Sequence, residues 1–455
     1  MRLACALGVV VGLLGAAQSG FAEVSEKEAM RLGADLTPYG AEKAGNAAGT
    51  IPAWEGLASA PPALGYTPGG HHPDPFAADK PLYTINAANM AQYDAVLTEG
   101  HKAMLAAHPD TYKMDVYPTR RSCAYPQHVY DAVKRNAVNG KMINDGNSVT
   151  GATMGPPFSI PQSAREVVWN HELNYRGFKT ERVALNAAPT KSGDFTPEIS
   201  HRRNYYYWSD PAITSTEALG NIVYFALNDT TSPPSMAGTV FLLHYTLDQV
   251  AEDRKPWNYK PGERKVKRLS GLQYDTPVNG SDGIRSIDNY QVFNGGGDRY
   301  DWELLGKQEK LIAYNTYRLA ARENQYKDVL HKGHLNQDLI RFELHRTWVV
   351  EGKLKAGKSH SVVHRRKFYF DEDTWFIAAT ALYGPDDKIA RAQEGFIFNF
   401  YDQPLCLADT DVIYDVPGGV YHAIGLRNQE QEINFNPDFG REMFTTESVR
   451  RIGTR

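Results

Sequence analysis

Apolar and polar residues alternate most regularly in the last third of the chain. Phe342, Leu344, Trp348, Val350 and Leu354 alternate with Glu343, His345, Thr347, Glu351 and Lys353, the period of a half-buried strand. A polar turn at Lys355–Lys358 leads into Val362 to Phe370, with Phe368 and Phe370 on one face. Asp371-Glu372-Asp373 turns into Trp375–Tyr383, and Gly384-Pro385-Asp386-Asp387 turns into a strand ending near Tyr401. Long strands joined by short polar turns predict an antiparallel meander. "RRNYYYWS", "GNIVYFALN" and "AGTVFLLHYTL" predict three more strands, and Lys260-Pro261-Gly262-Glu263 fits a type II turn.

The first half carries the helical signals. Ser25 with Glu28, and Ser163 with Glu166, have capping-box spacing, the second opening a helix through Leu173. Met90, Tyr93, Leu97 and Met104 fall near one stripe of a helix over 87–107, closed by His108-Pro109. Pro126 opens a helix to about Ala137. Residues 34–83, rich in Gly and Pro, read as an extended arm lying over the domain surface. Long strands with few helices predict a curved antiparallel sheet, an incomplete β-barrel wrapped around helices.

Composition narrows the function classes. Of 455 residues 42% are hydrophobic, enough for a large core held without metals. A net charge of −4 and the lack of a concentrated basic patch argue against a nucleic-acid partner. The apolar run Leu3–Ala17 ends in Ser19-Gly20-Phe21-Ala22 before Glu23, the form of a signal peptide cleaved after Ala22; an uncleaved anchor is the alternative. Cys5 lies before the core of that run rather than just after it, so it is not the lipidated cysteine of a lipoprotein. No later stretch is apolar enough to span a bilayer. After export two cysteines remain, Cys123 and Cys406. A bridge between them is the expectation, with two buried thiols as the alternative.

Catalytic motifs are missing: no G-x-S-x-G, H-E-x-x-H, G-x-G-x-x-G or Walker loop occurs. Gly295-Gly296-Gly297 lacks the lysine of a phosphate loop. His71-His72 and His331/His334 lack a third ligand, and His360 and His364 stand too far apart on a strand to share an ion, so no metal or cofactor is expected. Asp282, Asp288, Asp298 and Asp301 cluster, either as turn residues or as a hydrolytic site. Arg264, Lys265, Lys267 and Arg268 read as a solvated strand face or an anionic-lipid contact.

Several long blocks, among them "TYKMDVYPTRRSCAYP", "WNYKPGERKVKRL", "YDTPVNGSDGIRSIDNYQVFNGGGDRYDWELLGKQE" and "HLNQDLIRFELHRTWVVEGKLK", resemble the proteobacterial family called domain of unknown function 1329. The likeness runs from about Ala29 to Tyr421. It implies an outer-membrane lipoprotein-sorting-like fold similar to the periplasmic carriers LolA and LolB, an incomplete barrel with an apolar cavity. It also implies a periplasmic location and a gene neighbourhood holding exporters of the resistance-nodulation-division (RND) class. It supplies no catalytic residue.

Together these readings divide the chain into a signal peptide (1–22), an N-terminal helix and arm (23–83), a LolA/LolB-like domain (84–430) and a C-terminal tail (431–455). Three functions stay open. The first is a lipid- or hydrophobe-binding protein of envelope transport, not an enzyme, with Leu344, Trp348, Val350, Phe368 and Phe370 lining an apolar cavity that turns polar toward His364 and Arg366. The second is a scaffold or accessory protein of an RND-type exporter or an outer-membrane protein. The third is a hydrolase using the Asp282–Asp301 region.

Overall fold

A computed structural model describes residues 24–58 and 64–454; the apolar run expected to be a signal peptide lies outside them. The first half supplies helices α1 (Glu26–Ala29), α2 (Glu99–Ala107), α3 (Gln127–Asn139) and α4 (Ala164–Glu172). Short strands β1 (Tyr83–Ile85) and β2 (Met114–Val116) form one hairpin, and β3 (Lys141–Ile143) and β4 (Ser148–Thr150) another. A first meander follows: β5 (Lys179–Ala187), β6 (Glu198–Tyr205), β7 (Ile222–Ser232), β8 (Val240–Thr246), β9 (Lys255–Lys260) and β10 (Lys265–Arg268). The second is longer: β11 (Tyr300–Ala313), β12 (Phe342–Leu354), β13 (Arg365–Asp371), β14 (Ile377–Tyr383), β15 (Ile389–Phe400), β16 (Leu405–Asp415) and β17 (Val420–Leu426). Helices α5 (Tyr326–Val329) and α6 (Thr446–Gly453) complete the chain.

All strands except β3 and β4 join one open, curved sheet of 15 strands. The two meanders meet where β17 pairs with β5 through Ala423–Ala187 and Leu426–Leu185. The sheet is mixed rather than purely antiparallel, because β2 meets β12 in parallel at Val116–Phe342.

The expected strands form, with shifted ends. Trp375 sits in the turn at φ +61°, so β14 starts at Ile377, and β13 starts at Arg365, leaving Val362 and Val363 outside it. "RRNYYYWS" extends only to Tyr205 before a 3₁₀ turn at Tyr207–Ser209. The helix expected over 87–107 is split. A 3₁₀ turn covers Met90–Tyr93, and α2 starts at Glu99, where the Thr98 side chain accepts from the His101 N–H. Both capping boxes form.

Register defines the two faces. On one, Val350, Phe368, Thr380, Gln393, Ile413 and His422 stand in a row across six strands. On the other, Val349, Tyr369, Ala379, Glu394, Val412 and Ala423 do so. The second row faces α2, whose His101 meets Glu394 at 3.0 Å. Gly100 allows the close approach, since a Cβ there would stand 3.1 Å from the Thr380 carbonyl. The first row faces α4, whose Val167 and Val168 join the main core. Both faces are covered, which is why β14 is buried along its whole length.

Most of the arm is exposed or half-buried, and a few residues anchor it. Tyr39, Ala41 and Ile51 are buried, and Tyr39 stacks on Tyr125 with ring centroids 3.9 Å apart. Arg121 and Arg346 donate to backbone carbonyls of Glu42 and Ala44, clamping the arm to the sheet. In the C-terminal tail Phe439, Phe444 and Val449 pack on β7–β9. Cys123 and Cys406 are joined by a disulfide with Cα atoms 5.7 Å apart.

Candidate functional site

The sheet's α4 face has two unlike ends. At the β12–β13 end Trp348 stands opposite Phe370 and Val350 opposite Phe368, so these four candidate residues come together. Leu344 does not join them. It packs with Leu311 and Phe342 in the cluster on the α2 side, because so long a strand in a twisted sheet presents its two ends to different layers. Val350, Phe368 and Phe370 have no exposed surface. Phe293 stacks edge-on against Phe368 at 5.2 Å, His171 of α4 lies against Phe370, and Trp375 stacks on Trp348 at 6.3 Å. The chain itself therefore fills the space over these residues.

What fills it is α4 and a plug, residues 284–297. Val292 is wholly buried at φ +68°, a conformation a β-branched residue rarely adopts, and His171 holds the plug through the Gln291 carbonyl at 2.9 Å. Gly295, Gly296 and Gly297 press against Phe293, Tyr274 and Arg165, where any side chain would collide; they are packing residues.

Toward the middle the face becomes polar. Arg366 is buried and donates to Asp288 and to the Tyr300 hydroxyl, with His360 beside it. Burial opposes charge on Asp288, but Arg366 and His360 hold its carboxyl at about 2. His364 is exposed and takes no part, since β13 begins one residue after it. Next, buried Arg285 pairs with Asp411 and donates to His422 Nδ1 at 3.0 Å.

Beyond β17 the same face is open. Arg182 stands opposite Arg202, Arg202 opposite Asn228, and Asn228 opposite Phe241, one row across four strands. Arg182 pairs with Asp409, which Arg427 shares at 2.7 Å. Arg202 donates to Ser200 Oγ at 2.9 Å and Asn186 Oδ1 at 2.6 Å, both neutral. Burial, with Arg202 beside it, pulls the Arg182 guanidinium down to about 9, and burial lowers Arg202 too. Both arginine side chains are half-buried, the floor of a half-covered recess in the sheet face. Tyr206, Tyr224 and Tyr245 form a ladder on its wall, with centroids 5.9 and 4.6 Å apart. Sequence reasoning missed this site, because arginines on strands read as solvated faces until register sets two of them opposite each other.

The other candidates disperse. Asp282 and Asp301 are exposed while Asp288 is locked to Arg366, so the acids do not converge on a reacting centre. His334 is buried against Thr111, and His72 lies between Asp402 at 2.6 Å and Glu432 at 3.2 Å. Lys265, Lys267 and Arg268 lie on edge strand β10 and Arg264 in the turn before it; Lys267 pairs with Glu263.

His345, Asp371 and Asp373 bring ligand atoms within 4.8 Å of one another. Arg121 already forks onto Asp373 at 2.9 and 2.7 Å. Burial alone would lower His345, but hydrogen bonds to Asp371 and Glu343 raise it to about 9. This cluster is a neutralised ion network that clamps the arm, and a metal would have to displace its cations.

The chain belongs to the family described as protein of unknown function (DUF1329), whose model matches residues 84–450. It is 39% identical over 435 residues to the uncharacterized protein PA3922 of Pseudomonas aeruginosa, covering 95% of each chain. It is also similar to a DUF1329 family protein of Desulfovibrio piger, with 14% identity and a TM-score of 0.41, over 60% of this chain and 92% of that one. A putative outer membrane lipoprotein-sorting protein domain of Vibrio parahaemolyticus shows 12% identity and a TM-score of 0.43, over 63% and 97%.

Proposed function

We propose that this DUF1329-family chain is a periplasmic protein that binds a lipid or other hydrophobic ligand and serves envelope transport or lipoprotein and lipid sorting. The observation that carries this reading is the half-covered recess at Arg182 and Arg202, walled by tyrosines and lying on the same sheet face as Val350, Phe368 and Phe370. Few positioned polar groups beside apolar and aromatic walls are what a small-ligand site needs. The plug occupies the place of an acyl chain, and its strained Val292 marks the segment whose withdrawal would open the face. Burying a sixteen-carbon chain is worth roughly 12 kcal/mol gross. Association costs of about 4–15 kcal/mol leave the modest net affinity that a carrier able to release its cargo requires.

A second reading, a scaffold of an RND-type exporter or outer-membrane partner, is favoured by the complete burial of Val350, Phe368 and Phe370 against the chain itself. One experiment separates the two. The protein is purified from its native periplasm, co-purifying lipids are identified by mass spectrometry, and binding of fluorescent cis-parinaric acid is titrated. Bound lipid and saturable binding are expected. No lipid and no binding would leave the scaffold.

A further inference from the structure

An antiparallel sheet rarely sets like charges directly opposite each other, because the pair repels. Here Arg182 and Arg202 do so on a partly buried face. The carboxylates around them are shared with other arginines. Arg182 shares Asp409 with Arg427, and the hydrogen bonds of Arg202 go to neutral oxygens. The acids nearest Arg202, Glu198 and Asp411, are both pushed up by burial, Asp411 being already engaged by Arg285. Nε of Arg182 is left buried without a hydrogen-bond partner, beside an Arg202 that is bonded to neutral oxygens and only half-buried. The rim of the recess is aromatic: Phe241 continues the arginine row, and Tyr206 and Tyr224 lie tilted against each other beside it.

We propose that Arg182 and Arg202 form the head-group site for an anionic amphiphile, which binds carboxylate or phosphate first and lays its acyl chain along Tyr206 and Tyr224 toward the plug. This rests on the hydrophobe-binding reading and narrows it to one ligand class. A guanidinium fork matches the two oxygens of such a head group, and a lysine would not. The recess stands at the edge of the packed half of the sheet, so the acyl chain would meet α4 and the plug from the open side.

The test uses the full mature protein and three probes. cis-Parinaric acid should bind roughly ten- to a hundredfold tighter than its methyl ester, the ratio expected for losing one charged hydrogen-bonded contact. Arg202→Gln should remove that preference while leaving ester binding intact, and Arg202→Lys should restore part of it. Thermal melts check that both variants fold, and the acid-to-ester ratio in the unaltered protein needs no variant. Lysophosphatidylglycerol should displace the acid at concentrations where inorganic phosphate does not. Equal binding of acid and ester would overturn the head-group site while sparing the carrier reading. Displacement by phosphate alone would make it a free-anion site and overturn the amphiphile. Binding of neither probe would overturn both.

Discussion

One face of one sheet meets two environments. At the row of Val350 and Phe368 the side chains are fully buried, and the plug, α4 and the arm cover it. At the row of Arg182 and Arg202, on the other side of the β17–β5 junction, cover is incomplete and two arginines face each other. The first end is built as a core is built, for stability. The second keeps groups that cost stability, which a protein retains where they contact something else. The difference lies in what covers the strands, since both meanders use the same antiparallel pairing.

The largest test of this contrast is a pair of truncations. Phe368→Ala removes a wholly buried ring and should destabilise the protein by about 3–5 kcal/mol in urea titrations. Phe241→Ala, half-buried on the arginine row, should cost less than about 1.5 kcal/mol. Equal losses would mean that the second end is as tightly packed as the first, and the contrast would fail.

Breaking the disulfide probes the packed end alone. Cys123 and Cys406 close a loop with a sequence separation of 283, and both lie in the main core cluster. Reduction, or the double change to Ala, should cost roughly 2–5 kcal/mol. Hydrogen exchange should rise around α3 and β16 and stay unchanged in β6–β8.

Raising the pH should loosen the arm clamp. The folded pKa of His345, about 9, lies above the unfolded value near 6.5. Its stabilisation is therefore complete below about pH 6.5 and is lost as pH rises through 9. The unfolding free energy from urea titrations should fall by roughly 3 kcal/mol, and His345→Gln should flatten the profile. An unchanged midpoint between pH 7 and 10 in the unaltered protein would remove His345 from the clamp.

Legibility in the sequence followed the same division. The β12–β15 meander was readable because apolar alternation and acidic turns coincide there, and the helix starts at Ser25 and Ser163 because a cap is a local event. β11 was hidden. Its register shifts at Gly306, which breaks the alternation, and its start at Tyr300-Asp301 looks like an acidic loop. β5 opens with Lys179, Thr180, Glu181 and Arg182, a polar start to which no pattern assigns a face. Leu344 shows the limit of period two: alternation assigns a side of the strand, while the layer met there depends on twist.

The smallest expected effect is the most telling about the open end. Arg202→Gln removes a charge that burial and the facing Arg182 both disfavour, while a side-chain amide can still reach toward Ser200 and Asn186. Losing an ordinary buried, paired arginine costs several kcal/mol because its partner is stranded. Here the partners are neutral, so the empty protein should change by less than about 1 kcal/mol, and in the stabilising direction if repulsion outweighs the lost hydrogen bonds. Arg366→Gln is the matched control at the packed end, since it strands the buried Asp288 carboxylate and should cost several times more. A large loss from Arg202→Gln, close to that of Arg366→Gln, would make Arg202 a structural strut, and the recess would become part of the core.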